Sequence, residues 1–194
     1  MKPCKSCPFN RESLPGMWEA AHYLGIAYLS CADTPAVMQA RMGCHQWNGT
    51  VHPSRQPEDT PLCGGWMRAA RESLAIRIAM TFGKADPDEV YDDLPVMSPE
   101  EMCRINGFDM DRLPPLKWDP RTHRDRYPTY QDWETEVVEL RDSIMEDPSV
   151  ALDYVLDDSP LSRGVTREEV ASVMGEDVAR AYYGEPEEEE KDSL

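Results

Sequence analysis

Five of the six cysteines lie in the first 63 residues, and the spacing of four of them (Cys4, Cys7, Cys44 and Cys63) constrains the fold more than any other feature of the chain. Cys4 and Cys7 form a CxxC pair, whereas Cys44 and Cys63 are each isolated. A compact CxxC turn lets two thiolates face one centre. Four gathered thiolates repel one another, so a cation is needed to hold them together. The pattern therefore predicts one metal centre ligated by Cys4, Cys7, Cys44 and Cys63.

The identity of the metal is left open by the spacing. Structural zinc usually takes its ligands as two local pairs, and this chain supplies only one. One pair followed by two scattered cysteines, with Pro8 after a ligand, is more typical of iron–sulfur ligation. The spacing thus favours a [4Fe–4S] cluster, with Zn²⁺ as the alternative. His45, beside Cys44, is the alternative ligand in a zinc site.

Other interpretations of the cysteines are weaker. Disulfides are disfavoured because no export signal precedes the chain, so we expect a reducing, cytoplasmic compartment. A thioredoxin-type redox pair needs a preceding strand, and none stands before Cys4. Free buried cysteines behave as small hydrophobes, which is the expectation for Cys103 beside Met102. Cys31 ends an apolar stretch and is a reserve candidate for ligation.

The charge is divided unevenly along the chain. The net charge is −17, yet residues 1–84 contain nine Lys/Arg and only six Asp/Glu. Residues 85–194 contain 11 Lys/Arg and 31 Asp/Glu. An acidic region of this kind suits a partner with a basic surface, and it disfavours ordinary nucleic-acid binding. Direct nucleic-acid binding stays a secondary hypothesis for the first half, on a predicted helix that carries Arg68, Arg71, Arg77 and Lys84.

Several functional classes find no support in the sequence. No 18-residue apolar run exists, so we expect no membrane partner. There is no P-loop, GxSxG or HxE motif, and no cysteine triad suited to radical chemistry. An iron–sulfur or zinc enzyme acting on nucleic acid is therefore the alternative rather than the leading hypothesis. No catalytic residue is predicted.

Helical patterns account for most of the chain. We predict helices opening at Pro15 and at Thr34, a continuous helix from Gly65 to Phe82, and one from Ser98 that ends at Gly107. Later helices are predicted around Trp133–Ile144, after Pro148, and from Thr166 to Gly184. Residues 48–62 are predicted to form a loop. No alternating strand pattern of useful length is present.

The predicted fold class is mostly α, with an irregular, metal-organised N-terminal domain and an acidic helical C-terminal extension. We place the cysteine-rich domain at 1–110 and a proline-rich linker or arm at 111–131. The acidic helical region is placed at 132–184, and a disordered acidic tail at 185–194.

A set of short motifs carries a resemblance to a family. It comprises Cys4-Lys5-Ser6-Cys7-Pro8-Phe9-Asn10-Arg11, Pro15-Gly16-Met17-Trp18, Cys44-His45-Gln46 and Cys63-Gly64-Gly65-Trp66. Residues 3–113 are similar to an uncharacterised family of small cysteine-containing proteins from actinobacteria and their phages. The resemblance implies that the four cysteines belong together with His45 adjacent, and it implies no activity. Where the family has Ser in a PSG stretch, this chain has Leu14 before Pro15, which is a minor departure.

The functional expectation combines these observations. The chain is expected to be a metal-stabilised, phage-encoded small protein that binds a host or phage macromolecule, preferably a protein, through its acidic helical region. The metal would supply folding free energy that a small, proline-rich core lacks.

Overall fold

The computed structural model describes residues 3–31, 42 and 62–183, and it confirms a mostly helical fold. Within these ranges there is no strand, and an isolated antiparallel bridge pairs Phe108 with Val155. The helices are α1 (Ala20–Cys31), α2 (Gly64–Ala69), α3 (Leu74–Thr81), α4 (Pro87–Val90), α5 (Pro99–Asn106), α6 (Tyr130–Glu146), a 3₁₀ helix (Pro148–Tyr154), α7 (Pro160–Arg163), α8 (Arg167–Met174) and α9 (Glu176–Tyr183).

Helix α1 forms the centre of the main core. It packs against α5, the 3₁₀ helix and α6, and seven of its twelve residues are buried. The sequence placed the start of this helix at Pro15 and its end near Gly25. The helix instead begins at Ala20 and continues through Gly25 to Cys31, because burial on most of its surface outweighs the low helix propensity of one glycine.

The predicted continuous helix from Gly65 to Phe82 is wrong, since the structure has two helices there. Helix α2 ends at Ala69, and Ser73 starts α3 by accepting a hydrogen bond from the Ile76 backbone N–H. The Ser73 backbone N–H donates to the Ala70 carbonyl and closes the turn between them. A serine that can cap a new helix competes with continuation of the preceding one, and at Ser73 the chain starts a new helix.

Helix α5 matches the prediction closely. Ser98 Oγ accepts from the Glu101 backbone N–H at 3.1 Å, and Pro99 occupies the first helical position. Gly107 ends the helix at φ +92°, in the left-handed region that glycine tolerates best.

The proline-rich segment at 111–131 contains no helix before Tyr130, yet it packs against the core. Leu113 and Tyr127 are buried. The carbonyl of Pro114 accepts from Tyr28 Oη at 2.6 Å, and the carbonyl of Pro115 accepts from Trp133 Nε1 at 2.8 Å. These bonds attach the segment to both α1 and α6, so it is not a free spacer.

Helix α6 follows the predicted apolar pattern. Trp133, Val137, Leu140 and Ile144 are all buried, and the helix ends before Pro148 as expected. Thr129 and Asp132 form a reciprocal capping box at its start, which the sequence analysis did not identify. The 3₁₀ helix after Pro148 packs on both α1 and α6. One continuous core therefore extends from Cys7 to Ala151, across the boundaries predicted at 110 and 131.

The last helices form a small hairpin. The predicted capping box of Thr166 and Glu169 is present. The predicted single helix breaks at Gly175, which has φ +99° and separates α8 from α9. Val170, Met174 and Ala179 form a second buried cluster, against which Leu14 and Met17 pack. The helix predicted at Thr34, most of the loop at 48–62 and the tail at 185–194 lie outside the described residues.

Whether a helix can cross a membrane depends on its length and polarity. No helix in the described part of the chain is long and apolar enough to cross a bilayer.

Candidate metal centre

Two cysteines that are far apart in sequence meet in the core. Cys7 Sγ lies 3.8 Å from Cys63 Sγ, across 56 positions of the chain. Both residues are buried, and both are free thiols rather than partners in a disulfide. The distance is well beyond a sulfur–sulfur bond of about 2.05 Å. The two sulfurs are therefore adjacent but not bonded.

The CxxC pair lies in a tight turn. The Cys7 backbone N–H donates to the Cys4 carbonyl at 3.1 Å, and the Asn10 N–H donates to the Cys7 carbonyl at 2.9 Å. Asn10 Nδ2 also donates to the Cys4 carbonyl at 3.0 Å. Cys4 Sγ lies 3.7 Å from Ser6 Oγ. These bonds fix the backbone around both sulfurs, as the CxxC spacing predicted.

Cys63 occupies the N-cap position of α2, although its side chain accepts no capping hydrogen bond from the helix. The pKa of its thiol is lowered to about 7, first by its hydrogen bond with Cys7 and further by the nearby backbone N–H groups of Trp66 and Gly65. The pKa of Cys7 is raised well above its ordinary value by its hydrogen bonds with Cys4 and Cys63 and by burial. Free N–H groups at a helix start therefore stabilise negative charge on one of the two sulfurs.

Gly65 leaves the space in which the two sulfurs meet. A Cβ atom at this position would lie 2.3 Å from Cys7 Sγ and 3.4 Å from the Phe9 Cβ. No side chain fits at that distance without moving the CxxC turn. The second glycine of Cys63-Gly64-Gly65-Trp66 is therefore sterically required where Cys7 and Cys63 meet, a role that no local sequence pattern indicates.

The burial of Arg68 differs most from what the sequence predicted. The sequence grouped it with Arg71, Arg77 and Lys84 on one solvated face, but only 3% of its side chain is exposed. Its Nε donates to Asp92 Oδ1 at 2.5 Å, and a second nitrogen pairs with Asp92 Oδ2. The proposed arginine face is also broken up, since Arg68 lies in α2, Arg77 in α3, and Arg71 and Lys84 in neither helix. The pair of Arg68 and Asp92 went unrecognised because Asp92 is 24 residues away and no local pattern marks it.

Cys44 and His45 lie outside the described residues, so the full ligand set stays a prediction. Met42 is the nearest described residue, and its carbonyl accepts a hydrogen bond from the Cys63 backbone N–H at 2.9 Å. Across the ranges that the structure describes, no group of three or more His, Cys, Asp or Glu side chains is arranged to hold a metal ion by itself. Cys4, Cys7 and Cys63 are all described, so these three side chains do not form such a group in this structure.

The remaining two cysteines lie elsewhere. Cys103 is fully buried in α5, which confirms its expected core position. Its pKa is raised to about 12, mainly by burial and then by the nearby Cys31. Cys31 is half-buried at the end of α1. Neither is among the residues around Cys7 and Cys63.

Comparison with known proteins adds one finding. A family model matches residues 1–126, which is more than half of the chain. The chain belongs to DUF6283, a family of unknown function. The part that matches DUF6283 includes all four predicted ligands and the Arg68–Asp92 pair, and it ends before α6. No curated protein and no solved structure matches the chain.

Proposed function

We propose that this member of DUF6283 is a metal-stabilised interaction protein. Cys4, Cys7, Cys44 and Cys63 hold one metal centre, with His45 as the alternative fourth ligand. The centre stabilises the part of the chain that defines the family. The acidic helical region beyond it binds a basic surface on a partner protein, and we expect the protein to act in an actinobacterium or one of its phages.

One observation carries the metal proposal: two buried, unbonded sulfurs lie 3.8 Å apart although 56 positions separate them. Burying two thiolates side by side is unfavourable unless a cation compensates the charge. The Cys63 backbone N–H also donates to the carbonyl of Met42, which precedes Cys44 by two residues in the sequence.

The same distance favours zinc over the cluster that the spacing favoured. A tetrahedral zinc ion with Zn–S bonds of about 2.3 Å has its sulfurs about 3.8 Å apart. In a [4Fe–4S] cluster each thiolate binds a different iron, so the sulfurs are further separated. The separation of 3.8 Å between Cys7 and Cys63 fits the first geometry, and it is also the distance of a hydrogen bond between the two thiols. We therefore propose Zn²⁺, with [4Fe–4S] as the alternative.

Metal content tests this proposal directly. Protein purified without oxygen is expected to contain about one zinc per chain by elemental analysis and to lack the visible absorption of an iron–sulfur cluster. Cys63→Ser should lose the metal and much of the folding free energy, because metal binding and folding are coupled. Cys31→Ser, which removes a half-buried thiol outside the site, is the control and should retain both. A Cys63→Ser chain that keeps its metal would refute the proposed ligand set.

Two packed elements support the interaction surface. Helix α6 and the 3₁₀ helix contact each other, and Met145, Leu152 and Leu156 on or just after them are exposed. Exposed apolar side chains among charged ones are typical of surfaces that bind proteins. Exposed carboxylates in the same stretch are Asp132, Glu139, Asp142, Glu146, Asp147, Asp153, Asp157 and Asp158. The combination suits a basic partner that also offers apolar side chains.

A defined peptide tests the partner chemistry. An amphipathic peptide rich in Lys, Arg and Leu is expected to bind, and its Kd should rise at least tenfold between about 50 and 500 mM salt, because exposed charges are screened. Replacing Leu by Ser in the peptide should weaken binding further. Neutralising four of the eight carboxylates of the surface (Glu139, Glu146, Asp153 and Asp157) should reduce both the affinity and its salt dependence. Neutralising four exposed carboxylates elsewhere (Glu12, Glu72, Asp88 and Asp93) should not, and equal effects of the two sets would refute a defined surface.

A further inference from the structure

We propose that Arg68 and Asp92 are positioning residues for the metal centre, and that they hold Cys63 in register with the CxxC turn. This inference rests on the proposed metal centre. It assigns a role to two residues that are not ligands and that no sequence pattern connected to the cysteines.

Arg68 fixes the start of the helix that bears Cys63. One of its terminal nitrogens, Nη1, donates to the carbonyl of Gly64 at 2.7 Å, and Gly64 directly follows Cys63. Its other two donating nitrogens bind both oxygens of Asp92. A planar guanidinium engaged at three points has little freedom, so it holds the first turn of α2 in one orientation.

Asp92 begins a segment that leads back to the other side of the site. We call residues 92–97 the strap. Asp92 Oδ1 also accepts from the Leu94 backbone N–H at 3.2 Å, which shapes the beginning of the strap. At its end, the Met97 backbone N–H donates to the carbonyl of Phe9 at 2.8 Å. Phe9 is two residues beyond Cys7.

The strap therefore connects the two sulfurs through a closed series of contacts. One end is bonded to the helix that begins after Cys63, and the other end is bonded to the turn that contains Cys7. The distance between the two sulfurs is consequently set by this series as well as by the packing of Gly65. Residues that orient ligands in this way determine how much reorganisation metal binding costs.

Charge supports the same role. Zinc bound by four thiolates carries a net charge of −2, and a buried negative centre is stabilised by a cation nearby. The pKa of Arg68 is raised chiefly by its hydrogen bonds with Asp92, and the negative charge of Cys63 also contributes. Arg68 is thus close enough to Cys63 to interact with its charge, as a smaller contribution beside that of Asp92.

Zinc affinity distinguishes positioning from simple packing. Arg68→Met removes the guanidinium while preserving much of the length of the side chain. We expect its zinc affinity, measured by competition with a chelator, to fall about tenfold to a hundredfold. Arg71→Met is the matched control. Arg71 lies three residues after Arg68 and carries the same charge, but its side chain is half exposed. Its affinity should stay within about twofold of the unsubstituted protein.

Asp92→Asn provides a milder variant that preserves shape, and it decides the question if Arg68→Met does not fold. We expect a smaller loss of zinc affinity and altered thiolate-to-metal absorption after loading with Co²⁺. If the unsubstituted protein binds neither zinc nor iron, the metal proposal itself fails. If it binds zinc, and both variants bind zinc equally well with unchanged Co²⁺ spectra, the pair is only structural and the present inference is overturned.

Discussion

Gly65→Ala is expected to disable the metal centre, although alanine is normally the better residue in a helix. Gly65 lies in the first turn of α2, where alanine would gain up to about 1 kcal/mol from helix propensity. The new Cβ would stand 2.3 Å from Cys7 Sγ, which could move aside only by a rotation that breaks its contact with Cys63. Overpacking of this kind costs about 1 to 3 kcal/mol. We expect a lower free energy of unfolding and metal content well below one ion per chain.

Gly25→Ala is the control for this prediction. Gly25 is also helical, in the middle of α1, but nothing lies within 4 Å of the position that its Cβ would occupy. Helix propensity is then the main contribution to the change in stability, so the substitution should stabilise the protein by up to about 1 kcal/mol. Denaturant unfolding and elemental analysis of both variants provide the comparison. Full metal content in Gly65→Ala would show that the CxxC turn does not approach α2 as described.

Gly107→Ala is expected to destabilise the whole chain by about 3 kcal/mol, because two costs combine at this position. At φ +92° an alanine is strained by roughly 1 to 2 kcal/mol. Its Cβ would also lie 2.0 Å from the Cβ of Ser159, so overpacking adds about 1 to 3 kcal/mol. Gly107 lies within residues 1–126, which match DUF6283, and Ser159 lies in the acidic extension beyond them. The clash therefore falls where the extension packs against the part of the chain that matches the family.

Two further variants separate these costs. Gly83 has φ +65° and open space around it, so Gly83→Ala should show the conformational cost alone. Adding Ser159→Gly to Gly107→Ala should recover part of the lost stability, although it also removes the Ser159 cap of α7. Free energies of unfolding from denaturant titrations test both expectations. If Gly107→Ala costs no more than Gly83→Ala, residues 159–160 do not pack on this region.

The acidic extension is attached to the family region by backbone contacts as well as by packing. The carbonyl of Gly107 accepts from the Leu156 N–H at 2.9 Å, and the carbonyl of Tyr154 accepts from the Asp109 N–H at 2.8 Å. Gly16, at φ +78°, lies so close to Pro160 that a Cβ there would be 2.7 Å from its carbonyl oxygen. The extension therefore presents its carboxylates from a fixed position, which lowers the entropy cost of binding a partner.

The local features of the fold could be predicted because their determinants are close together in the sequence. The caps at Ser98 and Thr166, the stop at Gly107 and the buried pattern of α6 each involve residues three or four positions apart. The end of α2 at Ala69 was missed, since the capping tendency of Ser73 and the apolar period that runs through it predict opposite outcomes. Helix propensity does not decide between such local preferences when tertiary packing differs.

The amino-acid sequence determined the helical class, the uneven charge and the CxxC turn of Cys4 and Cys7, because composition and short-range spacing carry those properties. Only the tertiary structure decided that Cys63 stands beside Cys7, that Gly65 makes room for their approach, and that Arg68 is buried against Asp92. These contacts join residues dozens of positions apart. Their formation depends on how whole elements pack, and no local pattern in a single sequence encodes that packing.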